Sequence, residues 1–302
     1  MGMDPAEFPR VPAAEGATGF DLPAHVLPEL IARTSYAVSR DETRPALNGV
    51  LWEIGPKELR MVATDGHRLA FYKIAGDFPV KTERQVIVPP KTLQQLQRLI
   101  KDQLPDSVLR KESARDASPE GEGAEGTERG ERKGGERHSA MLHVEVTDNS
   151  IRWKMNESVI FSKLIEGPFP KYEQVIPKNN DKRLVVEREA FVEDLRAADA
   201  VTDQTSHMVR LSLKNGDVRL NAQSADIGGS DVACEGAVYE GEPLVVGYNA
   251  QYVLDALGHM SASRAEVTLK TATGPVLMRE LSEKATGPGE YLCLVMPLRL
   301  PE

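Results

Sequence analysis

Val62-Ala63-Thr64-Asp65-Gly66-His67-Arg68-Leu69-Ala70 reads as two strands joined by a tight turn. Ahead of it Leu59, Met61 and Ala63 fall at alternate positions, the period of a strand with one buried face. Asp65-Gly66 supplies the turn, since glycine takes positive φ without strain and aspartate bonds its own backbone. The chain then returns to apolar Leu69, Ala70 and Phe71. Asp65, His67 and a distant Tyr252 could be read as acid–base groups. No nucleophile, metal-ligand spacing or phosphate loop accompanies them, so the residues are read as hairpin residues. No catalytic residue, metal or cofactor is expected.

Working outward, apolar spacing predicts a helix from about Leu22 to Ser39, with Asp21 as its cap and a late start or bend at Pro28. Strands are expected at Leu47–Ile54, Leu59–Ala63, Arg68–Ile74 and Gln85–Val88. Pro89-Pro90 opens a second helix running to about Lys101. One face of it carries Lys91, Gln94, Arg98 and Lys101 and no acid. On the first helix Arg33 and Arg40 stand seven residues apart and so share a face, with Arg44 close behind. From about 103 to 140 the pattern gives way to Gly, Glu, Ser and Arg, a composition that cannot offset its ordering entropy and reads as a disordered insertion. Strands resume at Leu142–Val146, Ile151–Met155 and Val159–Lys163.

After the Pro-rich stretch 167–178 the layout repeats. A helix is expected at Arg188–Val201, then strands at Val209–Leu213, Val218–Ala222, near Val232–Tyr239 and at Leu244–Val246. Asn249 caps a fourth helix reaching about Met260, and strands follow at Glu266–Lys270, Val276–Glu280 and Tyr291–Met296. Leu59–Ala63 lies over Val218–Ala222 at an offset of 159, and Pro90 lies over Asn249 at the same offset. Trp153-Lys154 lies over Leu269-Lys270 at 116, so the offset drops by 43, about the length of the insertion. The fold class is therefore α+β: two tandem copies of a domain with two helices packed on antiparallel sheets, the first copy interrupted. The domains read as a leader at 1–17 and units at 18–166 and 167–302.

The 302 residues are enough for two ordinary domains with ample core. Two cysteines, Cys234 and Cys293, are too few for a disulfide framework and suit a reducing cytosol. No signal-peptide pattern or membrane-length apolar run is present. A net charge of −9 argues against a protein that coats nucleic acid by bulk attraction, and leaves room for a basic lining in an acidic shell.

Three stretches carry a family resemblance: Thr43-Arg44-Pro45-Ala46-Leu47-Asn48-Gly49 with the turn already quoted, Gly167-Pro168-Phe169-Pro170-Lys171-Tyr172, and Leu294-Val295-Met296-Pro297-Leu298-Arg299-Leu300. Together they resemble the second and third domains of the bacterial DNA polymerase III beta subunit, the sliding clamp. The resemblance implies the DNA-clamp fold, with sheets outside and helices facing double-stranded DNA in a central hole. It implies a non-catalytic processivity factor, or its two-domain fragment, in the bacterial cytoplasm at the nucleoid. Its partners would be the DNA polymerase III alpha subunit, the clamp loader and other proteins carrying a clamp motif. Arg40, Arg44, Lys91 and Arg98 match DNA-facing positions. Leu47, Thr64, Gly66, His67, Arg68, Leu69, Pro170, Val175, Tyr252, Pro275, Met296, Pro297, Leu298 and Arg299 match the peptide-binding groove. Gln174 stands where some relatives carry a basic residue. Full-length family members close head to tail as dimers. Nothing in this chain matches the first domain, so the resemblance implies a monomer offering only one half of the ring contact, around Val201, Asp231 and Val232. The alternative reading is a short clamp-like module that binds clamp-motif peptides without encircling DNA.

Deleting residues 103–140 is expected to preserve the fold and peptide binding, because shortening a loop changes closure entropy by only about 1 kcal/mol. A thermal melt that falls by many degrees would overturn this.

Overall fold

A computed structural model describes residues 16–80, 83–104, 140–224, 228–282 and 289–300. In the first copy β1 (Thr18–Pro23) leads into α1 (Leu27–Ser35), and a 3-10 turn (Pro45–Leu47) precedes β2 (Val50–Ile54). Then come β3 (Glu58–Thr64), β4 (Arg68–Ala75), β5 (Arg84–Val88), α2 (Pro90–Gln103), β6 (Met141–Val146), β7 (Ser150–Met155) and β8 (Ser158–Lys163). A second 3-10 turn (Tyr172–Gln174) lies in the connection to the second copy. That copy contains β9 (Lys182–Glu187), α3 (Arg188–Asp199), β10 (Met208–Lys214), β11 (Asp217–Ser224), β12 (Gly228–Ala233), β13 (Val238–Glu240) and β14 (Leu244–Asn249). It ends with α4 (Ala250–Gly258), β15 (Arg264–Leu269), β16 (Val276–Leu281) and β17 (Gly289–Val295).

Several expectations are corrected here. The helix expected from about Leu22 with a late start or bend at Pro28 begins at Leu27, with Pro28 in its first turn, while Phe20 and Leu22 alternate inward on a strand paired with β6. Asp21 caps nothing; its Oδ1 lies 2.7 Å from His143 Nδ1 across that pair. α1 also ends at Ser35, so Arg40 lies in the loop beyond it and shares no helix face with Arg33. Strand β9 was missed, its buried Leu184 and Val186 being embedded among Lys182, Arg183 and Glu187. Asn249 does cap α4, its Oδ1 accepting from the amides of Gln251 and Tyr252. Leu93, Leu96 and Ile100 form the buried stripe of α2, as their spacing predicts.

The repeat survives with a better register. β3 starts at 58 and β11 at 217, an offset of 159, but β6 (from 141) corresponds to β15 (from 264) at 123. The earlier match of Trp153 to Leu269 had paired β7 with β15. The corrected drop is 36 residues, and 105–139 lie outside the described residues.

Strand pairing is antiparallel throughout, in sheets of order β1-β6-β7-β8, β12-β11-β10-β14 and β13-β9-β15-β16-β17-β4-β3-β2-β5. The nine-stranded sheet crosses the boundary between copies, because β17 pairs with β4 from Gly289↔Ile74 to Val295↔Arg68. On its helix side Arg33 is buried, only 3% exposed, beneath this seam. Its guanidinium lies 2.9 Å from Glu29 of its own helix and 3.0 Å from Glu280 of β16, and donates to Ser261 Oγ at 2.7 Å. The rings of Tyr72 and Tyr291 flank it at 4.9 and 5.0 Å. Burial opposes the charge of Arg33, and Glu280 and Glu29 more than offset it. Burial likewise would raise the Glu280 carboxyl, yet Arg33 holds it below the ordinary value.

On the opposite face Leu51, Val62, Leu69, Phe71, Leu277, Leu292 and Leu294 form a second core, roofed by the connection through Tyr172. The Tyr172 hydroxyl donates to buried Glu53 at 2.5 Å, and Gln85 Nε2 donates to the same carboxylate at 2.7 Å. Burial, then the bond to Glu53, raises the Tyr172 hydroxyl pKa.

Replacing Arg33 by Met is expected to cost about 3–5 kcal/mol in urea unfolding, because Glu280 and Glu29 are left without their counter-charge. Glu280 titrates lower in the folded chain than in the unfolded one. Its contribution is therefore present above the ordinary glutamate value of about 4.3 and is lost as acid carries the pH through the folded value. The gap between the two proteins should narrow in acid.

Candidate functional site: a groove across the seam

The Asp-Gly turn is pinned by its own side chains. Asp65 Oδ1 accepts from the amides of His67 (2.9 Å) and Arg68 (3.0 Å). Thr64 Oγ1 donates to the Arg68 carbonyl at 2.6 Å and accepts from the Gly66 amide at 3.1 Å. Gly66 has φ +93°, and a Cβ there would sit 3.0 Å from Arg44 Nη1. The turn is then tied to the other end of the chain, where the Met296 amide donates to the His67 carbonyl at 2.8 Å.

Around this tie the predicted residues separate by role. Leu69, 2% exposed, and half-buried Met296 belong to the apolar floor with Leu277, Leu294 and Phe169. Val175, 50% exposed, and exposed Pro170 stand on the connection beside Tyr172. His67 stacks on Tyr252 of α4 with centroids 6.5 Å apart. Pro297 and Leu298 are half-buried and Arg299 is exposed. Leu47 is buried in the first 3-10 turn and Pro275 is half-buried just before β16; neither side chain joins the floor cluster.

Arg68 has several partners within the chain. Nε lies 3.1 Å from Asp65, Nη1 2.5 Å from Asp255 and Nη2 donates to the Tyr36 carbonyl at 2.9 Å. Its guanidinium sits over Tyr252 at 4.6 Å and Tyr36 at 5.4 Å. Burial disfavours this charge, and Asp255 and Asp65 sustain it. Arg68 thus ties the Asp-Gly turn of the first copy to α4 of the second.

Sequence reasoning missed Leu277, Phe169 and Tyr172 as parts of the floor, and Gly247 as the anchor of the tail. The Leu298 amide donates to the Gly247 carbonyl at 2.8 Å, and a Cβ on Gly247 would lie 2.7 Å from Leu300 Cδ2 and 3.1 Å from the Leu298 carbonyl oxygen. A lone glycine between Val246 and Tyr248 inside a strand is a signal of close backbone approach.

Of the expected DNA-facing cations, Lys91 and Arg98 are exposed on α2 together with Gln94 and Lys101. α2 is held to α1 by Gln97 Nε2, which donates to the Pro28 carbonyl at 3.0 Å. Arg40 and Arg44 are exposed in the loop after α1, and Arg44 pairs with Asp41 at 2.9 Å beside the Asp-Gly turn. Arg33, by contrast, is consumed in the seam. Among the described residues no cluster of His, Cys, Asp or Glu could hold a metal ion, and no helix is long and apolar enough to cross a membrane.

Comparison with known proteins agrees across the chain. The family model of the DNA polymerase III beta subunit central domain matches residues 21–109, and that of its C-terminal domain matches 173–296. The beta sliding clamp of Pseudomonas putida is 30% identical over 294 residues, covering 97% of this chain and 69% of that protein. That of Bacillus subtilis is 26% identical over 300 residues, covering 99% and 69%. The crystal structure of the DNA polymerase sliding clamp from Pseudomonas aeruginosa with ligand superposes with a TM-score of 0.80 at 27% identity, over 99% of this chain and 70% of that one. The same organism's clamp bound to griselimycin gives 0.81 at 28%, over 99% and 70%.

Gly247→Val is expected to leave the sheets folded while displacing the tail, at a cost of about 1–3 kcal/mol for the added bulk. Hydrogen exchange should show the Leu298 amide losing its protection while β10 and β11 keep theirs.

Proposed function

Because the chain belongs to the DNA polymerase III beta-subunit family, we propose that it works as a sliding clamp, a non-catalytic processivity factor that tethers DNA polymerase III and other clamp-motif proteins to double-stranded DNA. Residues 18–166 and 167–302 act as the second and third clamp units. The observation that carries this reading is the shared sheet. Pairing of β17 with β4 brings the Asp-Gly turn of one unit against Met296–Leu298 of the other, and so builds a groove from both.

The groove takes an extended peptide. Leu69, Met296, Val175 and Leu277 receive a Leu or Phe anchor near the peptide's end, and a Gln near its start lies toward Tyr252 and Leu298. Leu47, Thr64, Gly66, His67, Arg68, Pro170, Pro275, Pro297 and Arg299 shape the walls and rim. Polymerase alpha subunit and clamp loader are partners of this kind.

DNA contact falls to Lys91, Arg98, Arg40 and Arg44. A clamp must hold DNA and still slide, so it needs weak phosphate contacts and no base readout. The ring-closing surface is the unpaired side of β12, an edge strand of its sheet, together with Val201.

Titration with such a peptide should give micromolar affinity, roughly −7 to −8 kcal/mol, and Leu69→Ala with Met296→Ala should weaken it at least about tenfold, the equivalent of one lost buried contact. Unchanged affinity in that double variant would sink the groove. Four phosphate contacts give a log–log salt slope of about −3 to −4 for DNA binding, and Lys91→Ala with Arg98→Ala should reduce it by about 2. Retention on nicked circular DNA, lost on linearisation, separates a clamp from a module that only binds peptides.

A further inference from the structure

The tail that forms one wall of the groove leads onto a second surface. β14 pairs with β10, β10 with β11 and β11 with β12, and the register sets Gly247, Arg210, Asn221 and Asp231 opposite one another in one row. Directly paired residues project to the same side of a sheet. Val209, Leu211 and Leu220 point into the core, so this row runs across the face opposite the core. It starts where Leu300 folds over Gly247. An open hollow of about 620 Å³ lies over it, bordered by Leu300, Arg210, Asn221, Gln223 and Asp231.

The charges along this row are unequal in their commitments. Asp231 is neutralised by Arg219, whose Nε lies 2.8 Å from its Oδ1. Arg210 is exposed and, among the described residues, has no ion-pair or hydrogen-bond partner. An uncommitted guanidinium beside the amides of Asn221 and Gln223 is suited to carboxylates, which its planar fork of donors engages in pairs.

We infer that this lane receives an acidic flank of the same peptide whose anchor fills the groove, and that Arg210 is a specificity residue for it. The inference rests on the groove reading above. The apolar floor at Leu69 and Met296 takes the end of the motif, which points its start toward Leu298. Residues preceding the motif therefore pass over Leu300. Neighbouring strands stand about 4.8 Å apart and an extended chain advances about 3.3 Å per residue, so two or three residues carry the flank from Gly247 past Arg210 to Asn221.

Three synthetic peptides sharing one anchor motif test this: one with a neutral Gly-Ser flank, one with three Asp residues before the motif, and one with the same acids after it. With the wild-type chain the acids before the motif should tighten binding about three- to fivefold at low salt, and the gain should fade at high salt. Arg210→Ala should abolish that gain and leave the neutral peptide's affinity unchanged; Arg210→Lys should restore part of it. Equal affinity for the first two peptides, a gain that persists in Arg210→Ala, or an equal gain from acids after the motif would each overturn the lane while leaving the groove standing. Failure of all three peptides to bind the wild-type chain would instead overturn the groove, and the lane with it.

Discussion

The antiparallel ladder between β17 and β4 is the constraint on which the rest depends. It merges one sheet from each copy into a single nine-stranded surface, so neither copy has an independent edge at that place. Side chains on both faces are committed to it. Arg33 bridges α1 to β16 on the helix side, and the Tyr36 hydroxyl lies 3.0 Å from both the Tyr291 hydroxyl and Cys293 Sγ. On the other face the connection between copies folds back, and Tyr172 anchors it on Glu53. Apolar pairs such as Leu69–Leu294 and Phe71–Leu292 fill the remaining space, each buried side chain contributing about 1.5–3 kcal/mol.

Local signals were legible in the sequence wherever local chemistry decides the outcome. Asp65-Gly66 forms its turn from its own side chains, Asn249 caps its helix, and Leu93, Leu96 and Ile100 keep helical period. Misreadings arose where a distant partner decides. Arg33 looks like a surface cation because Glu280, 247 positions away, is invisible from its neighbourhood. β1 was absorbed into a helix because Asp21 and Pro23 imitate a helix start, and only pairing with β6 reveals that Phe20 and Leu22 alternate. The peptide-groove assignment comes from resemblance rather than from periodicity. Gly247 and Leu277 escaped notice because their importance lies in what the tail and connection place against them.

Charge is distributed to match two opposing demands. A net of −9 keeps most of the surface repellent to DNA, while α2 shows solvent a face of Lys91, Arg98 and Lys101. α3, by contrast, carries acidic side chains, among them exposed Glu189 and Glu193. Both thiols stay out of such chemistry, since burial pushes Cys234 and Cys293 up to about 12.

The tie between the Met296 amide and the His67 carbonyl has a thermodynamic corollary. A ligand lying across Leu69 and Met296 would touch both copies and could do so only while β4 and β17 remain joined. By mass action, a ligand at a hundred times its dissociation constant adds about 2.7 kcal/mol to the joined state. For any such ligand, occupancy and integrity of the seam are linked functions, and it would act as a rivet between the two repeats.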